Sequence, residues 1–252
     1  MSRTVFLRGR AEIESIREAA SLVARTLAML GQEVRPGVTT ATLDRLAETF
    51  IRDHGGRPAF KGYRGYPASI CSSVNDEVVH GIPGPRELAK GDIVGIDVGV
   101  EKGGFYGDAA LTFPVGPVDE QATRLLQVTR EALVRGVAQA KAGNRVGDIS
   151  HAIQSYVEEQ GFSVVRTLVG HGIGRQMHEE PQVPNYGTPD RGPRLMVGQM
   201  LAIEPMVNAG APEVLTQSDG WTVVTKDGTL SAHFEHTVAV GAEGPEILSL
   251  AG

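Results

Sequence analysis

The sequence predicts a mixed α/β fold in which two similar helix–helix–strand halves share one sheet inside a single domain. Three observations carry this. Helical apolar periodicity occurs in two pairs of segments. The second member of each pair runs from Gly to Gly over the same length, Gly37 to Gly55 and Gly143 to Gly161, with Leu43, Ala47 and Ile51 matching Ile149, Ile153 and Val157 at an offset of 106. The strand segments Leu88–Asp97 (LAKGDIVGID) and Leu195–Glu204 (LMVGQMLAIE) repeat as well, at an offset of 107, and each ends on Ile followed by an acid. The halves divide at about residues 1–117 and 118–252, and PVGPVDE at 114–120 is too short to separate two domains.

The elements follow in order. Residues 11–31 place Ile13, Ile16, Ala20, Val23, Ala24, Leu27 and Leu30 at helical spacing, with Gly31 as a stop. Residues 39–55 repeat this with Leu43, Leu46, Ala47, Phe50 and Ile51, capped by Thr39 or Thr40. Residues 92–100 and 105–114 are strands around the turn signal Glu101-Lys102-Gly103-Gly104. If Lys102 and Gly103 are the turn residues, Asp97 lies directly opposite Asp108. Helical periodicity returns at 119–143 and 147–161. Met200–Ile203 is a strand that ends at Glu204, before Pro205. Asp227-Gly228 signals a hairpin whose later strand, TLSAHFEHTVAV, carries Glu235.

Composition narrows the function classes. A chain of 252 residues with 41% hydrophobic residues is globular rather than disordered. A net charge of −6 gives no basic field for nucleic acid. One cysteine excludes a disulfide framework and any multi-cysteine zinc site. No apolar run approaches the ~20 residues of a membrane span. The first residues have no apolar core ahead of Glu12 and Glu14, so no signal peptide is read and a cytoplasmic protein is expected.

Each half therefore delivers two acids from apolar strands: Asp97 and Asp108, then Glu204 and Glu235. Buried carboxylates need partners or a cation. His171 opens HGIGRQMH, where Gly170, Gly172 and Gly174 let the backbone approach a site closely. His178 follows seven residues later, and His80 belongs to the first half. HEEPQ at 178–182 lacks the second histidine of an HExxH helix, and His233 and His236 point to opposite sides of a strand and are read as structural. Four carboxylates balance two divalent cations. One imidazole completes an oxygen-rich set that suits Mn, Fe, Co or Zn. Two such ions ~3.5–4 Å apart activate water for hydrolysis.

The ordered set Asp97, Asp108, His171, Glu204 and Glu235, with His80 and His178, resembles the type I methionine aminopeptidases, without the N-terminal zinc-binding extension of some relatives. The motifs NDEVVHGIPG (75–84), GIDVGVEKGGFYGD (95–108), GHGIGRQMHEEPQVPNY (170–186), IEP (203–205) and HFEHT (233–237) carry the resemblance over nearly the whole chain. It implies a pita-bread fold with pseudo-twofold symmetry and a curved antiparallel sheet. Asp97 would chelate one metal, Asp108 and Glu235 would bridge both, and His171 and Glu204 would hold the other. Glu204 would also shuttle the proton, His178 would contact the scissile carbonyl, and His80 the scissile nitrogen. Tyr63, Tyr66, Cys71 and Trp221 would line the methionine pocket, with Phe60 and Met177 nearby. The substrate would be a nascent polypeptide whose initiator Met precedes a small residue, met by a monomer with transient docking at the ribosome. Met177, Phe60 and the Thr167-Leu168-Val169 stretch depart from the usual family residues and bear on pocket shape. Three other readings remain: a pita-bread peptidase that cleaves before proline, an inactive binding module, and a metal-dependent hydrolase of another substrate.

Overall fold

A computed structural model describes residues 4–251. Among these residues four α-helices form: α1 (Arg10–Glu33), α2 (Thr40–Asp53), α3 (Glu120–Ala138) and α4 (Val146–Glu159). The helices α2 and α4 have the same length and start 106 residues apart, as the sequence repeat requires. Thr39 is the cap of α2, its hydroxyl accepting from the N–H of Thr42 at 3.2 Å. Asp119 does the same for α3, accepting from the N–H of Ala122 at 2.7 Å.

Two helix ends differ from expectation. Gly31 does not stop α1, which runs on to Glu33 and yields to extended backbone at Val34, two residues before Pro36. Gly31 is there for contact: a Cβ would come within 2.7 Å of the Phe113 ring. In the second half of the chain, α3 stops at Ala138 rather than 143. The Asn144 side-chain amide donates to the carbonyl of Gln139 at 3.0 Å and closes the chain into a turn.

The strands Ile93–Lys102 and Phe105–Pro114 pair antiparallel, with Lys102 opposite Phe105. The turn residues are thus Gly103 and Gly104, both at positive φ (61° and 80°). A two-residue turn of this hand needs φ > 0 twice, which two glycines supply and Lys102 resists. The register moves accordingly. Asp97 lies opposite Ala110, and Asp108 opposite Gly99. The two acids still share a face, but diagonally rather than directly across. Cys71–Val74 pairs with the other edge of Ile93–Lys102, setting Cys71 opposite Asp97.

A second antiparallel sheet runs in the order Pro245–Ile247, His236–Val240, Met200–Ile203, Val169–Gly172, Glu179–Pro184. The hairpin expected at Asp227-Gly228 does not form. The turn is present, but Val223–Thr225 pairs with Val214–Thr216 and with Glu77–Val79, whereas Ser231–His233 pairs with Met206–Asn208. The Asp227 carboxylate explains the divergence, because it accepts from both Ala211 and Thr229 N–H groups and ties the turn to a third segment. Glu235 falls in the break between Ser231–His233 and His236–Val240, not inside a strand.

Two threonines join the sheets. The Thr237 hydroxyl donates to the Asp108 carbonyl (2.7 Å) and accepts the Asp108 N–H (3.0 Å). The Thr112 hydroxyl does the same with His233 (2.8 and 3.0 Å). Glu235 N–H adds a bond to the Ala110 carbonyl at 2.9 Å. The helices cover the outer faces. Leu22, Val23, Leu27 and Leu30 of α1 pack with Leu43 and Ile51 of α2 on Val94, Ile96 and Val98. Leu125, Ala132 and Leu133 of α3 pack with Ile149 and Ile153 of α4 on Leu201, Ile203 and Val238. No described helix is long and apolar enough to cross a membrane.

At Gly107 the strand runs against the backbone of α1 at Ala20, leaving no space for a Cβ. Gly107→Ala should therefore lower unfolding stability by about 1–3 kcal/mol, measured by urea denaturation, because both partners are backbone and neither can rotate away.

Candidate metal centre

The two sheets bring five ligand-type side chains to one place. Asp97 and Asp108 come from the first sheet, His171 and Glu204 from the second, and Glu235 from the break beside Thr237. One donor atom each from Asp108, His171 and Glu235 lies within 4.8 Å of the others, and all three residues are buried. His171 Nε2 is 3.5 Å from Glu204 Oε1 and 3.9 Å from Asp108 Oδ2. Its Nδ1 is 2.9 Å from the Gly172 carbonyl, so Nδ1 carries the hydrogen and Nε2 presents its lone pair to the acids.

Three of the carboxylate oxygens are left without a protein partner. Asp97 Oδ1, Asp108 Oδ1 and Glu235 Oε1 are buried without a hydrogen-bond partner. Burial pushes Asp97 up to about 7, against the opposing bonds from Asp108 and the Val98 N–H. Burial, with repulsion from Glu235 and Asp97, pushes Asp108 well above the carboxylate range. Glu204 and Glu235 move the same way, from burial and then from neighbouring carboxylates. Burial holds His171 down at about 4, hence neutral. A neutral imidazole and orphaned carboxylate oxygens facing one another fit hard or borderline divalent cations.

The acids form the floor of a cavity of about 160 Å³ that is also lined by Phe60, Tyr63, Arg64, Tyr66, Cys71, His80, His178 and Trp221. The apolar wall is a cluster of Ala59, Phe60, Tyr66, Ala68, Cys71 and Met177, with Tyr63, Ile82, Tyr106 and Trp221 against it. Met177 does not line the cavity. It backs Phe60, and both reach across Gly99, where a Cβ would meet each at 2.6 Å. The Tyr66 hydroxyl lies 2.9 Å from the Gly81 carbonyl and 3.1 Å from that of Ile70, which anchors the ring edge-on to Trp221. Burial and the facing Asp97 hold the Cys71 thiol well above its ordinary value, so it is a wall and not a nucleophile.

His178 stands at the rim. Its ring lies 4.2 Å from that of His171, and its Nδ1 is 2.9 Å from the Tyr63 hydroxyl. Desolvation and the neighbouring His171 hold its pKa below the usual imidazole range. His80 is in the left-handed region (φ 60°) and its ring meets Trp221 edge-on at 6.4 Å. Burial lowers its pKa too.

Residue by residue, all the expected ligands, both histidines and the expected pocket residues except Met177 reach this one cavity. Two further residues reach the site: Arg64, which carries no sequence signal, and His233, read above as structural. Arg64 lines both this cavity and a larger outer one of about 560 Å³. The His233 ring is buried with its Nε2 3.8 Å from Glu204 Oε2 and unpartnered, so it belongs beside the acids. Its alternation on the strand offered no signal for this. His236 keeps the structural role expected of it, with Nδ1 2.9 Å from the Ser249 hydroxyl.

Comparison with known proteins is decisive at this point. The profile of metallopeptidase family M24 matches residues 14–242. The methionine aminopeptidase of Clostridium perfringens is 56% identical over 98% of this chain and 99% of its own length. The chain belongs to the methionine aminopeptidases of metallopeptidase family M24. Methionine aminopeptidase 1 of Bacillus subtilis is 53% identical over 94% of this chain and 96% of its own. The crystal structure of methionine aminopeptidase from Rickettsia prowazekii superposes with a TM-score of 0.97 at 43% identity, covering 98% of this chain and 100% of that one. The M24 fold is the pita-bread fold, with the mixed helices and antiparallel sheets described above. Membership of a metallopeptidase family implies divalent metal, and the buried group Asp108, His171 and Glu235 has the donors to hold it.

A pH experiment isolates the acids. Above about pH 7 the buried histidines His80, His171, His178, His233 and His236, which burial lowers, are neutral in the folded chain and mostly neutral in the unfolded one. The unfolded acids have then lost their protons, while the metal-free folded site retains some. Stability of the metal-free protein should therefore fall as pH rises from about 7 to 8. A saturating divalent metal should abolish this slope in thermal melts, because the ionised acids then have a counter-charge.

Proposed function

We propose that the chain removes the N-terminal methionine from polypeptides whose second residue is small, with two divalent ions held by Asp97, Asp108, His171, Glu204 and Glu235. The observation that carries this is a buried, cation-deficient cluster of four acids and one neutral imidazole, forming the floor of a small apolar cavity. Asp108 and Glu235 would each serve both ions, Asp97 one of them, and His171 with Glu204 the other. The charge count of −4 against +4 supports that number. Mn, Fe, Co and Zn all suit the donor set. Bound there, the ions supply Lewis acidity and a nucleophile at neutral pH.

The chain's own groups do the rest. Phe60, Tyr63, Tyr66, Cys71 and Trp221 hold the methionine side chain in the cavity, with Met177 behind Phe60. The outer cavity beyond the His178 rim gives the following residues of the polypeptide a way out. Glu204 takes the proton of the attacking water and passes it to the leaving amine, which its place among the acids on the cavity floor allows. The Tyr63 hydroxyl donates to His178 Nδ1, and the neutral ring then carries its hydrogen on Nε2. That N–H donates to the oxygen of the scissile carbonyl as negative charge develops. His80, beside Trp221, contacts the scissile nitrogen. Residues 1–252 act as one catalytic domain, each half supplying two acids. The cell compartment that fits this reading is the cytoplasm, where a monomer meets nascent chains, with transient ribosome association.

The first test is methionine release from a Met-Ala peptide by protein stripped of metal and resupplied with Mn or Co. Release that depends on added metal is expected. No release from folded protein with any divalent ion would overturn the proposal. Asp97→Ala should abolish both turnover and metal retention, read by metal analysis after dialysis. His178→Ala should retain metal and lose about 10²-fold in kcat, the size expected for one oxyanion donor.

A further inference from the structure

His178 is carried by a turn, residues 173–178, between two strands whose register is irregular at Gly170 to Gly172. The strand ladder alone therefore leaves its position loosely determined. The turn is held from outside the site. The Glu179 side chain is 4% exposed. Its carboxylate accepts the backbone N–H groups of Arg175 (2.9 Å) and Gln176 (3.1 Å), which closes the turn on itself. Both of its oxygens also accept from Arg8 Nη2, each at 2.6 Å. Arg8 lies on the segment that leads into α1, and its side chain is 6% exposed. Its own N–H donates to the Gly198 carbonyl at 2.8 Å. The guanidinium lies flat on the turn, where a Cβ at Gly174 would come within 2.6 Å of Nη2. A second tie joins the same two pieces, Arg175 to Glu12 in the first turn of α1, at 3.1 Å.

Arg8 lines neither cavity at the centre. Yet its buried charge is answered mainly by the residue that follows His178 in the chain. We infer that Arg8, acting through Glu179, is a positioning residue for His178: the start of α1 latches the 173–179 turn so that the imidazole stands over His171 with its Nδ1 on Tyr63. The inference rests on His178 being the carbonyl contact proposed above.

Removing Arg8 alone would leave the Glu179 carboxylate buried without a counter-charge and could unfold the chain. The test therefore uses the paired variant Arg8→Met/Glu179→Gln, which removes both charges and keeps an amide oxygen for the two N–H groups of the turn. The expected result on the Met-Ala peptide is a drop of roughly tenfold in kcat, the scale of a small misplacement of a catalytic group. Metal content and KM should change little. The same pair introduced into His178→Ala should cause no further drop. A merely structural pair would lower the melting temperature and leave kcat per folded molecule intact. Full kcat in the paired variant, or an equal drop in the His178→Ala background, overturns the latch. A His178→Ala variant at full rate overturns the reading of His178 and this inference with it, and so separates the two failures. If the pair does not fold, Arg8→Lys is measured the same way. It keeps the charge but not the contact with both oxygens, so a kcat loss that disappears in His178→Ala is again expected, and full kcat again overturns the latch.

Discussion

Four carboxylates delivered into an apolar interior are the constraint on which the rest of this structure depends. Asp97, Asp108, Glu204 and Glu235 cannot all ionise there alone, and burial and mutual repulsion push all four pKa values up. No lysine or arginine among the described residues pairs with them. The lysine and arginine salt bridges lie elsewhere, chiefly on the helix surfaces. The Thr112 and Thr237 hydroxyls instead satisfy the backbone at the seam between the sheets. Asp97 Oδ1, Asp108 Oδ1 and Glu235 Oε1 are left buried without a hydrogen-bond partner.

Two further features follow from that choice. The imidazoles near the acids are kept neutral by desolvation, so they do not act as counter-ions to them. Glycine appears where backbone or side chains must close in on the centre. Gly99 admits Met177 and Phe60 to the wall, and Gly107 admits the backbone of α1 behind Asp108. The stability lost to these polar and close-packed features is offset by the two large apolar layers under the helices.

The cavity shows how recognition and chemistry are kept together yet built from different chain segments. Its aromatic wall comes mainly from the first half of the chain, and the His171 and His178 rim from the second. The start of α1 reaches the rim through the Arg8–Glu179 pair, which spans 171 residues of sequence. A contact of that separation has no local signature, and Arg8 reads in the sequence as one more basic residue before a helix.

The sequence by itself determined the helices, the duplicated spacing and the acids and histidines that meet in the cavity. These depend on local periodicity, on caps such as Thr39, and on acids placed against apolar strands, all of which act over a few residues. The repeat offset of 106 reappears in the bounds of α2 and α4. Tertiary structure decided the register and the partners. Asp97 moved from facing Asp108 to lying diagonal to it because Gly103 and Gly104, not Lys102 and Gly103, satisfy the positive φ of the turn. The strands around Asp227 separated because a side-chain carboxylate tied their turn to a third segment. His233 came to rest against Glu204, although strand alternation had assigned it a structural place. Each of these outcomes turns on a choice between nearly equivalent local arrangements, and long-range packing and hydrogen bonding make that choice only once the sheets have met.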